Sequence, residues 1–349
     1  MPQLIDNPRA VVIGYGFAGR CFHSYLIGLA SGLTLHGIAS RNAATRERIT
    51  QERGCRAYDG FESVLADPEV DLVVLATPNN THAELAIEAM QAGKHVVTDK
   101  VMCLTLADCD RMIATAQETG RFLTVFQNRR WDGDYLTLHK LRTEGSLGEL
   151  RWLEMAWQGF GPWSGWRGEA AMGGGRFYDL GAHLIDQLVM TFPQAIQSVY
   201  CRMQHDYADS DIDSEAFLVV TFEGGYTGVC DLSGLAAISK PRFYARGTKA
   251  TWQKFGLDPQ EKAMIAADID AAQEDPQTYG RLATPQGETI TPTLPGHWRN
   301  FYENVAAVLR EGTAPAVTLP SVRRAIGVLD AARQSAQTNA VVEPNLAAL

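Results

Sequence analysis

Residues 10–19, Ala-Val-Val-Ile-Gly-Tyr-Gly-Phe-Ala-Gly, decide the fold of this chain. The apolar residues predict a buried parallel strand, and a helix-compatible run follows the glycines. The glycines have the G-x-G-x-x-G spacing, in which Gly14 permits a tight turn, Gly16 lets a pyrophosphate approach the backbone, and Gly19 lets helix and strand pack together. The alternative is a strand–helix turn that is merely tight. The residues predicted to line the phosphates are Gly14, Tyr15, Gly16, Phe17, Ala18 and Gly19.

Along the rest of the chain the pattern of strands and helices changes once, near residue 128. Apolar strands without alternation are separated by helical runs from residue 10 to about residue 127, which predicts a doubly wound parallel sheet. Beyond residue 128 the strands are longer and joined by hairpins, which predicts an α+β domain with a mostly antiparallel sheet. We therefore expect a dinucleotide-binding domain at 1–128 and a substrate and dimerisation domain at 129–349, with the final helices as candidates for packing back on the first.

Composition excludes several classes of protein. The chain has 349 residues and a net charge of −9, which argues against nucleic acid or an acidic membrane as a partner. The amino-terminal residues show no signal peptide and no apolar run is long enough to span a membrane, so a cytoplasmic protein is expected. The 6 cysteines contain no C-x-x-C pair and are expected to be reduced thiols. No metal site is expected.

The end of the second predicted strand indicates which nicotinamide cofactor binds. An acidic residue there grips the ribose of NAD, whereas an arginine accommodates the 2′-phosphate of NADP. No Asp or Glu lies between His36 and Arg46, and Ser40 and Arg41 follow the strand. A hydroxyl and a guanidinium can bind the phosphate, with Arg46 assisting, so NADP is favoured over NAD. The alternative is that Arg41 is a solvated helix-cap residue.

Three further stretches carry candidate site residues. The segment 77–82, Thr-Pro-Asn-Asn-Thr-His, and the pair Asp99-Lys100 each follow an apolar strand, where ligands bind in open α/β sheets. Asp179 and His183 are at i and i+4 of a predicted helix, so the carboxylate can orient the imidazole for proton transfer. The alternatives are an Asx-type turn for 77–82, a surface lysine, and a buried His–Asp pair that only stabilises the core.

Other clusters are less specific. The indoles of Trp157, Trp163 and Trp166 can stack on a sugar or a nicotinamide, but tryptophans more often fill a core. The acidic residues in 206–213 lack the central glycine of a calcium loop and are interpreted as a solvated loop. These are Asp206, Asp209, Asp211 and Asp213.

Taken together, these motifs resemble the glucose–fructose oxidoreductase, inositol dehydrogenase and rhizopine-catabolism (Gfo/Idh/MocA) family over nearly the whole chain. Segments 127–134 and 173–187 are most similar to its NADP-using scyllo-inositol dehydrogenase-like branch. The matching residues are 14–19, Ala76, Thr77, Pro78, Asn79, His82, Asp99, Lys100, Asn128, Arg129, Arg130, Trp131, Asp132, Trp166, Arg167, Asp179, His183, Phe301, Tyr302, Glu303 and Asn304.

The resemblance implies a Rossmann domain followed by a domain with a large open antiparallel sheet, one face of which often forms a dimer. Lys100 matches the lysine of the family's Glu-Lys-Pro motif, which sits at the reacting carbon. Asp99 and Val101 depart from that motif, since the aspartate is shorter and the valine removes the ring that fixes φ. Further cofactor contacts implied are Thr77, Pro78, Asn79, His82, Asp99, Asn128, Trp166 and Arg167.

The implied reaction is hydride transfer between NADP and a polyol, inositol or sugar. His183, held by Asp179, takes the hydroxyl proton, and Lys100 hydrogen-bonds the same oxygen. Arg129, Trp163 and Arg167 are expected to line the substrate pocket. Two other functions stay open: a sensor or regulatory protein that binds NADP without turnover, and a glycosidase that uses the nicotinamide transiently.

Overall fold

The computed structural model describes residues 4–349, and the backbone divides into two compact units. The first takes in the described residues through Asn128 together with Met264–Ile269 and Trp298–Leu319. The second comprises Arg129–Ala263, Asp270–His297 and Pro320–Leu349. Both units therefore recruit segments that are distant in sequence.

A parallel sheet of 6 strands organises the first unit, in the order β3-β2-β1-β4-β5-β6. Its central strands are buried on both faces, which is why their sequences are continuously apolar. The predicted doubly wound sheet is confirmed. The strands are β1 Arg9–Ile13, β2 Thr34–Ala39, β3 Arg56–Tyr58, β4 Leu72–Leu75, β5 His95–Thr98 and β6 Leu123–Val125.

Helices connect these strands and return beyond residue 298. In chain order the α-helices are α1 Ser24–Leu29, α2 Ala43–Arg53, α3 Phe61–Leu65, α4 His82–Gln91, α5 Leu106–Thr119, α6 Gly133–Thr143, α7 Ala182–Thr191, α8 Gln260–Ile265, α9 Arg299–Glu311 and α10 Leu319–Thr338. Local sequence sets their ends: the Thr105 side chain accepts the Asp108 N–H at 3.1 Å where α5 begins. Gly120, at φ 65°, ends the same helix in the left-handed conformation.

The second unit is built on an open sheet of 8 strands, in the order β14-β13-β12-β11-β7-β10-β9-β8. Neighbours are antiparallel except β7 and β10, which run parallel. This confirms the large, mostly antiparallel sheet. The strands are β7 Leu150–Gln158, β8 Ile196–Gln204, β9 Glu215–Phe222, β10 Tyr226–Ser233, β11 Phe243–Gly247, β12 Thr251–Lys254, β13 Gly280–Thr284 and β14 Gly287–Thr291.

Sequence reasoning missed the short strand β3 and the edge hairpin of β13 and β14. Residues 287–290 of β14 are exposed, so the strand lacks the apolar alternation that marks a half-buried strand. Because it is acidic and rich in alanine and glutamine, segment 258–276 is predicted to be a surface helix or an excursion. In the structure it contains the short α8 and buries Gln260 and Met264. The segment therefore lies on the surface only in part, because these side chains are buried.

The interpretation of 206–213 as a solvated loop is wrong for Asp213. That side chain is buried, and its Oδ2 accepts the Phe177 N–H at 3.0 Å. Burial raises the pKa of Asp213, and the backbone hydrogen bond opposes the rise. Asp213 thus anchors the turn that leads into α7. Among the residues that the structure describes, no group of His, Cys, Asp or Glu side chains could hold a metal ion.

The remaining sequence expectations concern thiols and membrane spans. Within residues 4–349 all the cysteines are free thiols; Cys55 is half-buried and the others are buried. No helix formed by the described part of the chain is long and apolar enough to cross a bilayer.

Candidate cofactor and catalytic site

Two glycines of the 14–19 loop are required by close packing within the first unit. Gly14 has φ +102°, and a Cβ there would lie 2.5 Å from the carbonyl oxygen of Ala76. A Cβ on Gly19 would lie 2.1 Å from the carbonyl oxygen of Gly14. Backbone atoms of the loop therefore pack directly against the residue after β4 and against the start of the following helix.

Gly16 differs from its two neighbours in the motif. A Cβ on Gly16 would meet no protein atom within 4 Å. Nothing in the chain demands a glycine there, whereas a phosphate that approaches the backbone closely would. The next residues form a π-helical turn, Ala18–His23, that continues into α1, and its N-terminal end favours an anion. The loop fits a dinucleotide pyrophosphate.

The turn after β2 presents Ser40 and Arg41. The Arg46 guanidinium donates through Nη1 to the carbonyl oxygens of Ser40 and Arg41, both at 2.9 Å. Arg46 therefore shapes the turn, and the Arg41 side chain is exposed on it. A hydroxyl and a guanidinium thus lie where the ribose of a dinucleotide binds in this fold.

His82 joins the loops that follow β4 and β5. Its Nε2 lies 2.9 Å from the Thr77 carbonyl oxygen, and its Nδ1 lies 2.8 Å from that of Val101. Burial lowers the pKa of His82, opposed by these carbonyl contacts. The Thr77 and Thr81 hydroxyls are 2.7 Å apart in the same loop. The predicted segment 77–82 is thereby tied to the residues around Lys100.

Asp99 and Lys100 follow β5 at the carboxyl edge of the parallel sheet. Asp99 Oδ1 accepts the Lys100 backbone N–H at 2.7 Å, and Oδ2 lies 3.7 Å from His23 Nε2. Burial acts to raise the pKa of Asp99, but His23 and the Lys100 ammonium hold it at about 2. The carboxylate is therefore ionised at neutral pH. The peptide bond between Lys100 and Val101 is cis.

In the second unit, His183 lies on α7 with its ring against Trp157. The ring centroids are 6.0 Å apart and the planes are stacked at 26°. The guanidinium groups of Arg129 and Arg242 lie 4.5 Å and 4.9 Å from the same indole. His183 is buried beside an aromatic surface that carries two cations.

Arg129, predicted to line the substrate pocket, is held by two carboxylates. Its Nη1 donates to Asp132 at 3.2 Å and its Nη2 donates to Glu261 at 2.5 Å. Because Arg129 is buried, both pairs compensate the loss of its hydration. Asn128, which ends the first continuous segment of the first unit, is also buried.

Asp179 contacts a residue that was expected to touch the cofactor. The Arg167 Nε lies 3.3 Å from Asp179 Oδ2, and the Arg167 guanidinium lies 4.7 Å from the Trp166 ring. The Arg176 guanidinium carbon lies 4.5 Å from the centre of the Trp163 ring. Trp163 also lines a cavity of about 420 Å³ together with Tyr207 and its neighbours in the loop 206–210. The second unit thus brings Asp179 together with Arg167 and Trp166.

Family models match both units. The model described as oxidoreductase family, NAD-binding Rossmann fold, matches residues 8–127. The model of the GFO/IDH/MocA C-terminal domain matches residues 135–253. The chain belongs to the GFO/IDH/MocA oxidoreductase family.

Relatives span nearly the whole chain. The sequence is 29% identical to scyllo-inositol 2-dehydrogenase (NADP(+)) IolW of Bacillus subtilis, over 95% of each chain. It is 33% identical to the uncharacterized oxidoreductase YdgJ of Escherichia coli, over 87% of this chain and 89% of the relative. The solved structure of yvaA from Bacillus subtilis superposes with a TM-score of 0.90 at 27% identity, over 97% of this chain and 98% of that one.

The family resemblance inferred from the sequence is confirmed, and with it an oxidoreductase whose first unit has the fold that binds a nicotinamide cofactor. Several contacts of this GFO/IDH/MocA oxidoreductase were not foreseen from its sequence. His23 and Tyr302 lie in the environment of Asp99, and Arg242 and Glu261 lie in that of Trp157 and Arg129. Tyr302 stands in the segment 301–304 that resembles the family, but no local pattern reveals which side chains these residues contact.

Proposed function

We propose that this protein is an NADP-dependent dehydrogenase or reductase that acts on a hydroxyl or ketone of a polyol, inositol or sugar. The observation that carries the proposal is Lys100 at the carboxyl edge of the nucleotide-binding sheet, beside the ionised Asp99. A lysine there suits stabilisation of negative charge on a reacting oxygen. The relative that is named a scyllo-inositol 2-dehydrogenase supports the substrate class.

Preference for NADP is supported by the turn after β2. Arg41 offers a planar set of donors and Ser40 a hydroxyl, whereas a carboxylate at this place would repel a 2′-phosphate. The chain has no Asp or Glu between His36 and Arg46. The name of the same relative includes NADP(+).

In the proposed mechanism the bound nicotinamide supplies or accepts the hydride. Lys100 donates a hydrogen bond to the substrate oxygen and stabilises the charge that develops on it. His183 takes the hydroxyl proton in the oxidation and returns it in the reduction. Asp179 forms an ion pair with Arg167 at 3.3 Å, and in this proposal its carboxylate orients the His183 ring. The indole of Trp157 limits the movement of the His183 ring.

We further propose that the open sheet forms a homodimer through its exposed face. Phe217 projects from β9 with 41% of its surface exposed, so this face of the sheet offers an apolar contact to a second copy of the chain. Light scattering in solution tests this, with a mass of two chains expected and a monomer arguing against it.

The decisive experiment is a panel of polyols, inositols and aldoses assayed at the NADPH absorbance band, with NAD and NADP in parallel. Substitutions Lys100→Met and His183→Ala are each expected to lower turnover by about 100-fold or more, because acid–base and electrostatic groups contribute on that order. The NADP dissociation constant of each variant is measured as the control. Near-wild-type rates in both variants would exclude these roles.

The same panel separates the two alternatives. A sensor binds NADP and a ligand without any change in absorbance. A transient-redox glycosidase cleaves an aryl glycoside and gives no net reduction of cofactor.

A further inference from the structure

A chain of buried polar groups in the first unit ends at the backbone of Lys100. It begins at Tyr302 on α9, whose hydroxyl lies 2.6 Å from His23 Nδ1. His23 Nε2 lies 3.7 Å from Asp99 Oδ2, and Asp99 Oδ1 accepts the Lys100 N–H at 2.7 Å. His23 and Tyr302 are both 0% exposed. Side-chain contacts therefore link three places in the first unit: the helical turn Ala18–His23, the carboxyl edge of the parallel sheet and α9.

Apolar rings surround this chain of groups. The Phe126 ring is 4.6 Å from the His23 ring and 5.9 Å from the Tyr302 ring, and Phe301 lies against both Phe126 and Tyr302. The charged or titratable groups that face His23 are Asp99, Tyr302 and the more distant His82. In such surroundings the attraction between an imidazole and a carboxylate is much stronger than in water.

The aspartate at position 99, where the family motif has glutamate, has a structural consequence. The aspartate side chain at 99 is short enough for Oδ1 to receive the N–H of the next residue while Oδ2 is directed to His23. The longer glutamate of the motif places its carboxylate one methylene further from its own backbone. The buried Asp99 carboxylate can therefore hold the Lys100 backbone N–H in place while it also faces His23.

We propose that Tyr302, His23 and Asp99 are positioning residues that fix the Lys100 backbone, and through it the placement of the Lys100 ammonium. The proposal deepens the function proposed above and rests on it for the role of Lys100 in turnover. Misplacement of a reacting group by about 1 Å can cost a hundredfold in rate, so the loss of this support should lower kcat. Tyr302, His23 and Asp99 all lie outside residues 14–19, the loop proposed to hold the pyrophosphate.

A pair of matched substitutions tests which contact of His23 matters. The amide of His23→Gln reaches the position of Nε2, which faces Asp99 Oδ2 at 3.7 Å, whereas the amide of His23→Asn reaches only the position of Nδ1 and Tyr302. We expect His23→Gln to keep kcat within about fivefold and His23→Asn to lose about tenfold or more, with the KM for NADPH unchanged in both. A residue that merely packs α1 against α9 would give the same result for both amides.

A second measurement requires no turnover. Hydrogen exchange of the Lys100 amide should be fastest in His23→Asn and intermediate in His23→Gln, because the asparagine amide falls short of Asp99 whereas the glutamine loses only the contact with Tyr302. If the wild-type protein reduces no member of the panel but exchange separates the two variants, the proposed function fails and the positioning role stands. Equal exchange in both variants overturns the positioning role, whatever the rates.

A tyrosine pair keeps the test decisive if His23→Asn does not fold. Tyr302→Phe removes the hydroxyl beside His23, and Tyr25→Phe removes a hydroxyl that accepts the Ile269 N–H at 3.1 Å elsewhere in the first unit. Faster Lys100 exchange in Tyr302→Phe but not in Tyr25→Phe supports the proposal. Unchanged exchange in Tyr302→Phe contradicts it.

Discussion

At the scale of single residues, Arg41 in the turn after β2 and Arg46 in α2 have different roles. Arg46 is occupied by the carbonyl oxygens of Ser40 and Arg41, so its guanidinium supports the backbone. The side chain of Arg41 is exposed where a 2′-phosphate would lie in this fold. The sequence placed both residues near the cofactor but could not assign these parts, because carbonyl acceptors are invisible in side-chain patterns.

Substitution Arg41→Ala should weaken NADP binding about tenfold or more and leave NAD binding unchanged. A hydrogen bond to a charged group is worth about 1.5–3 kcal/mol, and each 1.4 kcal/mol is about tenfold in affinity. Titration of both cofactors by fluorescence measures the two constants. Arg111→Ala is the matched control, since Arg111 is an exposed arginine of α5 in the first unit that pairs with Glu84 of α4 at 2.8 Å. Equal losses for NAD and NADP in Arg41→Ala would contradict the phosphate contact.

At the scale of elements, the strand–loop–helix unit of residues 9–29 was predicted well because its signals are local. The apolar run, the glycine spacing and the following helix are all contiguous in sequence. Strand β3 and the β13–β14 hairpin were missed because they are short or exposed, and neighbouring strands rather than their own residues specify them.

The glycines of the loop give a prediction that separates folding from binding. Gly19→Ala should destabilise the protein by about 1–3 kcal/mol, because the added methyl overlaps the Gly14 carbonyl in a packed contact. Gly16→Ala should leave the melting temperature of the cofactor-free protein unchanged and weaken dinucleotide binding, because only a bound phosphate needs that space.

Thermal melting with and without NADP measures both effects. Stabilisation by NADP should be retained in Gly19→Ala and largely lost in Gly16→Ala. A Gly16→Ala variant that binds NADP as tightly as the wild-type protein would contradict the phosphate-loop assignment.

At the scale of the whole molecule, one buried histidine makes stability depend on pH. His95 Nδ1 accepts the Phe122 N–H at 2.9 Å, which requires the neutral ring. Burial, with a smaller contribution from Arg121, lowers the pKa of His95 from 6.5 to about 4. Between these values the unfolded chain binds more protons than the folded one, so stability falls as the pH falls through that window.

The expected loss from this group between pH 6.5 and pH 4 is about 3 kcal/mol, at roughly 1.4 kcal/mol per pH unit. Urea unfolding at a series of pH values measures it. In His95→Asn the amide oxygen can still accept the Phe122 N–H but does not titrate, so the decline over this window should be smaller. Asp99, with a folded pKa of about 2, loses its contribution only at lower pH. An identical decline in His95→Asn would show that His95 is not its source.

The sequence by itself determined the parallel sheet, the second antiparallel sheet and the strand–glycine loop–helix unit of residues 9–29, because period and glycine spacing are properties of neighbouring residues. Tertiary structure alone decided that Trp298–Leu319 joins the first unit, that Tyr302 and His23 reach Asp99, and that Arg129 is neutralised by Glu261. Those contacts connect residues separated by up to 279 positions. These contacts form because a polar group that is buried away from water must pair with another polar group. Which groups are buried together depends on the whole fold, so no local sequence pattern encodes the pairing.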